Sequence, residues 1–252
     1  MASVTTRIGE PYALERLTFF TLENLLAGDF SIGDLRQAID CVAAAGTVQF
    51  AVEIGPPMPV HMSGGIRAQS FMLHHQAVDQ YIDKVARIGD RCGLGPGWIG
   101  GTAGALLTEA IGRPPQKSHP IYFITSETES AKEIVYVGRT AGESGRFVGG
   151  HHAITKLHAP QYQGTSKQVY MASVLARISD SEWINMELIK PSERAEFYLS
   201  EVELNLIFGL QPALNEDGKT ALKAKAAHHV LVQDPYGVVK GTNRITVSSM
   251  RR

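Results

Sequence analysis

The apolar positions of this chain change period several times, and each change marks an element. Leu14, Leu17, Phe20 and Leu25 recur at near-helical spacing until Gly28 and Asp29 interrupt them, which predicts a first amphipathic helix. Ser31 can cap the next helix at the backbone donors of Asp34 and Leu35. Leu35, Ile39 and Val42 give that helix one apolar face before Gly46. Val48, Phe50, Val52 and Ile54 alternate with Thr47, Gln49, Ala51 and Glu53, the period of a half-buried strand that Gly55, Pro56 and Pro57 are expected to stop. Between residues 66 and 91 the spacing of Phe71, Val78, Ile82, Val85 and Ile88 predicts a long helix. The glycine-rich stretch 93–104 reads as a loop or close-packed turn, a short helix follows over 105–111, and Pro114 and Pro115 mark a boundary.

Beyond that boundary the texture changes. Residues 121–125 and 133–139 are short apolar runs separated by polar residues 126–132, the pattern of two antiparallel strands and their loop. Residues 144–158 read as a helix, 168–176 as a third strand, and 192–209 as a helix capped by Ser192 and closed by Gly209, with Pro212 barring continuation. The fold class expected from this order is α+β. A mostly helical N-terminal region, residues 1–115, is a candidate for DNA recognition or oligomerisation, residues 116–215 form a compact module, and residues 216–252 a basic C-terminal tail.

Composition narrows the function classes. With 44% hydrophobic and 19% charged residues, the chain has material for a core and too little charge for a disordered polymer. No run approaches the roughly 18 apolar residues of a membrane span, and the first ten residues lack the order of a signal peptide. A cytoplasmic protein with no membrane partner is the expectation. Cys41 and Cys92 have neither disulfide-framework nor zinc-ligand spacing and read as two buried reduced thiols. A net charge of −1 would ordinarily argue against a nucleic-acid binder, but residues 1–115, 116–215 and 216–252 carry −3, −2 and +4. Lys219, Lys223, Lys225, Lys240, Arg244, Arg251 and Arg252 supply either a phosphate-facing strip or a solvated end. The pairs His74-His75 and His228-His229 do not share a helix face and are poor metal sites, and the glycines 93–97 lack the Lys and Ser or Thr of a phosphate-binding loop.

Pro120-Ile121-Tyr122, Tyr136-Val137-Gly138, Arg146 ten residues after Tyr136, Glu203, Pro212 and Asn215 resemble, in order and spacing, the GIY-YIG nuclease domain. Two departures stand beside the resemblance. Pro120 occupies the usual position of a glycine, and the family histidine, one helical turn after the arginine, would fall at Gly150, which His151 and His152 follow. Both histidines are therefore candidates, and because adjacent helical side chains point about 100° apart, at most one of them is expected to face the site.

The resemblance implies a small antiparallel sheet flanked by helices, and an endodeoxyribonuclease that hydrolyses phosphodiester bonds of double-stranded DNA. The absence of a long linker is similar in plan to type II restriction endonucleases of the family, which act as homo-oligomers. Nonspecific or toxin-type nucleases and a non-cleaving nucleic-acid-binding protein are the alternatives. The residue types suit the reaction. Arg146 offers a planar fork that matches phosphate oxygens. Glu203 is a hard oxygen ligand of the kind that holds Mg²⁺, for which Mn²⁺ would substitute. Tyr122 and Tyr136 on adjacent strands would converge on the attacking water or on the scissile phosphate, with Tyr122 or an imidazole as the general base, although a phenol is a poor base at its free pKa of roughly 10. Gly138 and Asn215 take structural roles, Asn215 holding the chain beyond the helix so that the Glu203 helix stays registered with the sheet. A tyrosine in an apolar strand, taken alone, is ordinarily a core residue with a satisfied hydroxyl.

Overall fold

The computed structural model describes residues 3–6, 18–45, 48–65, 70–91, 99, 102–140, 152–219, 229–239 and 244–248. Strands β1 (Ser3–Thr6), β2 (Thr18–Phe20), β3 (Gln49–Pro59), β4 (Ile121–Glu127), β5 (Lys132–Arg139), β6 (Ser166–Arg177), β7 (Glu182–Asn185), β8 (His229–Gln233) and β9 (Arg244–Ser248) join one mixed sheet. Helices α1 (Leu22–Ala27), α2 (Ile32–Ala44), α3 (Phe71–Arg91), α4 (Thr102–Ile111), α5 (His152–Lys156) and α6 (Ser192–Leu210) flank it, an α+β arrangement. The main strand order is β1-β9-β8-β3-β6-β4-β5, and β7 joins β2 to β6. No helix of the described residues is long and apolar enough to cross a membrane.

Strand β6 organises the sheet. One edge pairs antiparallel with β3, and the other is shared end to end, with β4 along residues 166–172 and β7 along 175–177. Alternation then divides its side chains. Tyr170, Ala172, Val174 and Ala176 enter the main core with Phe50, Val52, Ile54, Ile121 and Phe123, while Val169 and Leu175 face the other way. The main core is closed by Val78, Ile82 and Val85 of α3 and Leu199, Val202 and Leu206 of α6. Each such fully buried side chain contributes about 1.5–3 kcal/mol relative to exposure. The opposite face carries a smaller cluster of Tyr122, Ile124, Val135 and Val169 under Ala153, Leu157 and Tyr162.

Several sequence expectations change here. The helix predicted through Leu25 is divided: residues 18–20 form β2, parallel to β7 with Phe19 opposite Trp183, and α1 starts only after Thr21, whose hydroxyl accepts from the Asn24 amide at 3.1 Å. Helical spacing of the leucines concealed a β-favouring Thr-Phe-Phe run followed by a cap. Gly55, Pro56 and Pro57 do not end β3, because a register shift between Ile54 and Pro57 absorbs the prolines and pairing resumes to Pro59. Helix α4 begins at Thr102, inside the glycine-rich stretch, and a Cβ on Gly104 would stand 2.1 Å from the Leu26 carbonyl oxygen, so only glycine allows α1 to approach.

Helix α6 runs through Gly209 to Leu210. Gln211 takes the left-handed conformation at φ 52°, and its side-chain amide donates to the Phe208 and Lys219 carbonyls, which offsets the strain. Its N-cap is Pro191, not Ser192, with no side-chain cap. The three sequence segments all contribute strands to the one sheet. Residues 229–233 bury Val230 and Val232 beside β3, so this part of the C-terminal segment is built in rather than solvated. Cys41 is a free but exposed thiol, beside rather than within the buried stripe of α2, and Cys92 lies outside the described residues.

Because Phe50 is fully buried and its ring centroid lies 5.5 Å from that of Tyr198, Phe50→Ala is expected to cost about 3–5 kcal/mol in urea unfolding. Leu106→Ala, at a 60% exposed position, is expected to stay within about 0.5 kcal/mol of the parent.

Candidate functional site

The hairpin of β4 and β5 places the first candidate residues. Tyr122 pairs with Gly138 and Ile124 with Tyr136, and a register shift then makes Val135 an extra residue, so that Val135 and Tyr136 both join the cluster around Tyr122. The two phenol rings stack with centroids 6.0 Å apart and planes 27° apart. Tyr122 is fully buried and Tyr136 half-buried. A Cβ on Gly138 would stand 2.5 Å from Tyr122 Oη, 2.6 Å from its Cζ and 2.7 Å from Tyr136 Cε1. The glycine is therefore required by the rings that lie across it.

Strand β5 ends the sheet, so its outward backbone groups need partners. Asn215 supplies them: Val137 N–H donates to Asn215 Oδ1 and Asn215 Nδ2 donates to the Val137 carbonyl, each at 2.9 Å. Leu214 N–H adds a bond to the Val135 carbonyl at 2.8 Å. The segment after α6 thus acts as a short additional strand, which ties the helix end to the hairpin.

Arg139 follows Gly138 and carries the carboxylates. Its Nε donates to Glu203 Oε2 at 2.9 Å, and a terminal guanidinium nitrogen lies 3.5 Å from Glu196 Oε1. Glu196 and Glu203, two helical turns apart, occupy one stripe of α6. By alternation Tyr136 and Gly138 face the tyrosine cluster, whereas Val137 and Arg139 face α6, with Val137 in the main core. The phenols and the Glu203 carboxylate therefore lie against opposite faces of β5, linked along the strand by the consecutive residues Gly138 and Arg139.

His152 opens α5 and is exposed; the next residue, Ala153, packs under the Tyr122 cluster, so the helix lies over the phenol face. Arg146 and His151 lie outside the described residues. Among the described residues no group of three His, Cys, Asp or Glu is arranged to hold a metal. Glu203 is a hard oxygen donor whose Oε2 is shared with Arg139 Nε, so a cation held there would have to draw most of its shell from water and substrate oxygens.

Sequence reasoning missed two partners. Arg139 was visible only as the residue after Tyr-Val-Gly, and nothing in the pattern assigned it to a helix 64 residues away. Glu187 is the second. It is 4% exposed, and it accepts from Ser118 Oγ at 2.7 Å, Asn185 Nδ2 at 3.2 Å and Ser118 N–H at 3.3 Å. Burial pushes its carboxyl above the usual range, more than the Ser118 bonds and Lys117 pull it down. The available signal was one acidic residue inside the apolar run from Trp183 to Ile189. His75 Nε2 meets the Ile189 carbonyl at 2.8 Å, a structural use, and His228 lies outside the described residues.

Comparison of the chain with family models, with curated proteins and with solved structures finds no match.

Two substitutions test this geometry by denaturant unfolding. Gly138→Ala should cost about 1–3 kcal/mol through overpacking, and adding Tyr122→Leu should recover part of the loss; parental stability of Gly138→Ala alone would contradict the placement of the rings. Asn215→Ala orphans the amide and carbonyl of Val137 and should cost about 1–3 kcal/mol per group.

Proposed function

We propose that the protein is a metal-dependent endonuclease of GIY-YIG type that cuts duplex DNA, in the manner of a restriction enzyme acting as a homo-oligomer. The observation that carries the reading is the edge of β5. There, two stacked phenols lie across Gly138 on paired strands, and the next residue, Arg139, holds Glu203. The sequence spacing that ends at Asn215 supports it, since the Asn215 side chain locks that same strand.

Phosphodiester hydrolysis needs an activated water, stabilised charge on the phosphoryl oxygens and a stabilised leaving 3′ oxygen. Tyr136, the more exposed phenol, is the one a phosphate at the strand edge would reach, with Tyr122 beneath it fixing the ring. Arg146 is assigned to the phosphoryl oxygens and one of His151 and His152 to proton transfer. Glu203 is assigned to a divalent cation, and Arg139 orients it. When bound, Mg²⁺ or Mn²⁺ supplies Lewis-acid polarisation of the phosphate.

Incubation of purified protein with plasmid and Mg²⁺ or Mn²⁺ tests the reading. Discrete fragments are expected, smearing would favour a nonspecific nuclease, and intact plasmid with a retained gel shift would favour a binding protein. Glu203→Gln and Arg146→Ala should abolish cutting with binding largely kept, and Tyr136→Phe should slow it about 10²-fold or more. Normal cutting by both of the first two variants would remove the site assignment.

A further inference from the structure

Glu187 lies in the short 3-10 turn Met186–Leu188, between β7 and α6. Its partner Ser118 stands three residues before β4 and four before Tyr122. Strands β4 and β7 share one edge of β6, with Ile121 opposite Ala172 and Asn185 opposite Leu175, so Glu187 fills the junction where one ends and the other begins. The chain from Glu187 leads into α6, and α3 braces it on the way: His75 meets the Ile189 carbonyl and Asp79 pairs with Lys190 at 3.0 Å. One buried carboxyl thus joins the segment entering the Tyr122 strand to the segment entering the Glu203 helix.

Ser118 Oγ–H, Ser118 N–H and Asn185 Nδ2 are placed as donors to Glu187, which suits an anion, whereas its burial and the commitments of the neighbouring cations suit a neutral acid. Among the described residues no cation lies within ion-pair distance of Glu187. Lys117 is committed to Glu53, which Ser173 Oγ also serves. His119 is held below the usual histidine range by burial and by Lys117, and His74 by burial and by His75. From the remaining elements, Asp79 and Lys190 pair with each other, and Arg194 of α6 donates to the Lys190 carbonyl. A buried anion without a cation is costly, and such a group keeps its proton instead. Two acceptors await that proton. Asn185 Oδ1 is buried without a hydrogen-bond partner, and exchanging the amide nitrogen and oxygen turns it toward Glu187. Ser118 Oγ, at 2.7 Å, serves equally as acceptor or donor.

We propose that Glu187 is a positioning residue held as a neutral carboxylic acid, which registers the Tyr122 strand against the Glu203 helix and releases that register when its proton is lost to water. A carboxyl whose pKa is raised on folding contributes stability that is full below its ordinary value near 4.5 and is lost as pH rises through the folded value. Stability that falls as pH rises above the ordinary carboxyl range is therefore the signature, the reverse of an ion-paired carboxylate.

The cleavage arm of the test rests on the nuclease reading; the other two arms do not. In the intact protein at neutral pH, infrared difference spectra of the parent against Glu187→Gln should contain a protonated-carboxyl band. Glu187→Gln, which keeps the shape of the neutral acid, should match or exceed parental stability at neutral pH and flatten the loss of stability with rising pH. If the parent cuts plasmid, Glu187→Gln should cut at an unchanged rate at neutral pH and lose the parent's decline with rising pH. Absence of the band, or a Glu187→Gln protein less stable than the parent at neutral pH, would overturn the proposal. A parent that does not cut at all while both physical arms succeed would remove the nuclease reading and leave the neutral clamp standing.

Discussion

An edge strand with a helix packed beside it must satisfy backbone groups that water cannot fully reach, and in this molecule Asn215 meets that demand for β5. Its two bonds to Val137 do what an additional strand would do, with one side chain. The consequence extends along β5 in both directions. Toward the tyrosines, fixing Val137 fixes Gly138, the only residue type over which the Tyr122 and Tyr136 rings could lie. Toward α6, it fixes Arg139, whose reach to Glu203 depends on helix and strand keeping a common register. The strong point of the site is therefore a hydrogen-bonded seam, and the charged groups are arranged around it.

A second seam lies at the other end of the same hairpin's attachment to β6. Because β4 and β7 occupy one edge of β6 in tandem, the chain has a gap there that a polar residue must close. Ser118, Asn185 and Glu187 close it. The Asn215 and Glu187 seams bracket α6, one after its last turn and one before its first. Through Glu187 the segment before β4 is thus tied to the chain that enters α6, and through Asn215 the chain that leaves α6 is tied to β5.

Much of this was legible in the sequence, and the reason is periodicity. Strands β4 and β6 are buried on both faces and show as short apolar runs bounded by polar residues, while α3 and α6 show helical spacing, so run length and period report them directly. What was not legible depends on partners far along the chain. Pro56 and Pro57 look like strand breakers until β6 supplies a neighbour that tolerates a bulge, and Thr18 to Phe20 look helical until Trp183 stands opposite. Gly209 looked like a helix stop, but Gln211 caps the helix with its own amide. In the site, spacing marked Tyr122, Tyr136, Glu203 and Asn215, yet gave no indication that Asn215 would bind Val137 by both amide atoms or that Arg139 would occupy Glu203.

The pairing of Arg139 with two carboxylates has its own electrostatic consequence. A guanidinium between Glu196 and Glu203 lowers the repulsion of two acids on one helix stripe and keeps Glu203 oriented. That orientation comes at the expense of part of the negative field of Glu203. If Glu203 holds a cation as proposed, that ion would meet a carboxylate already shared with Arg139, which would favour a small hard ion able to bring water and phosphate oxygens of its own over one that needs a cage of protein carboxylates.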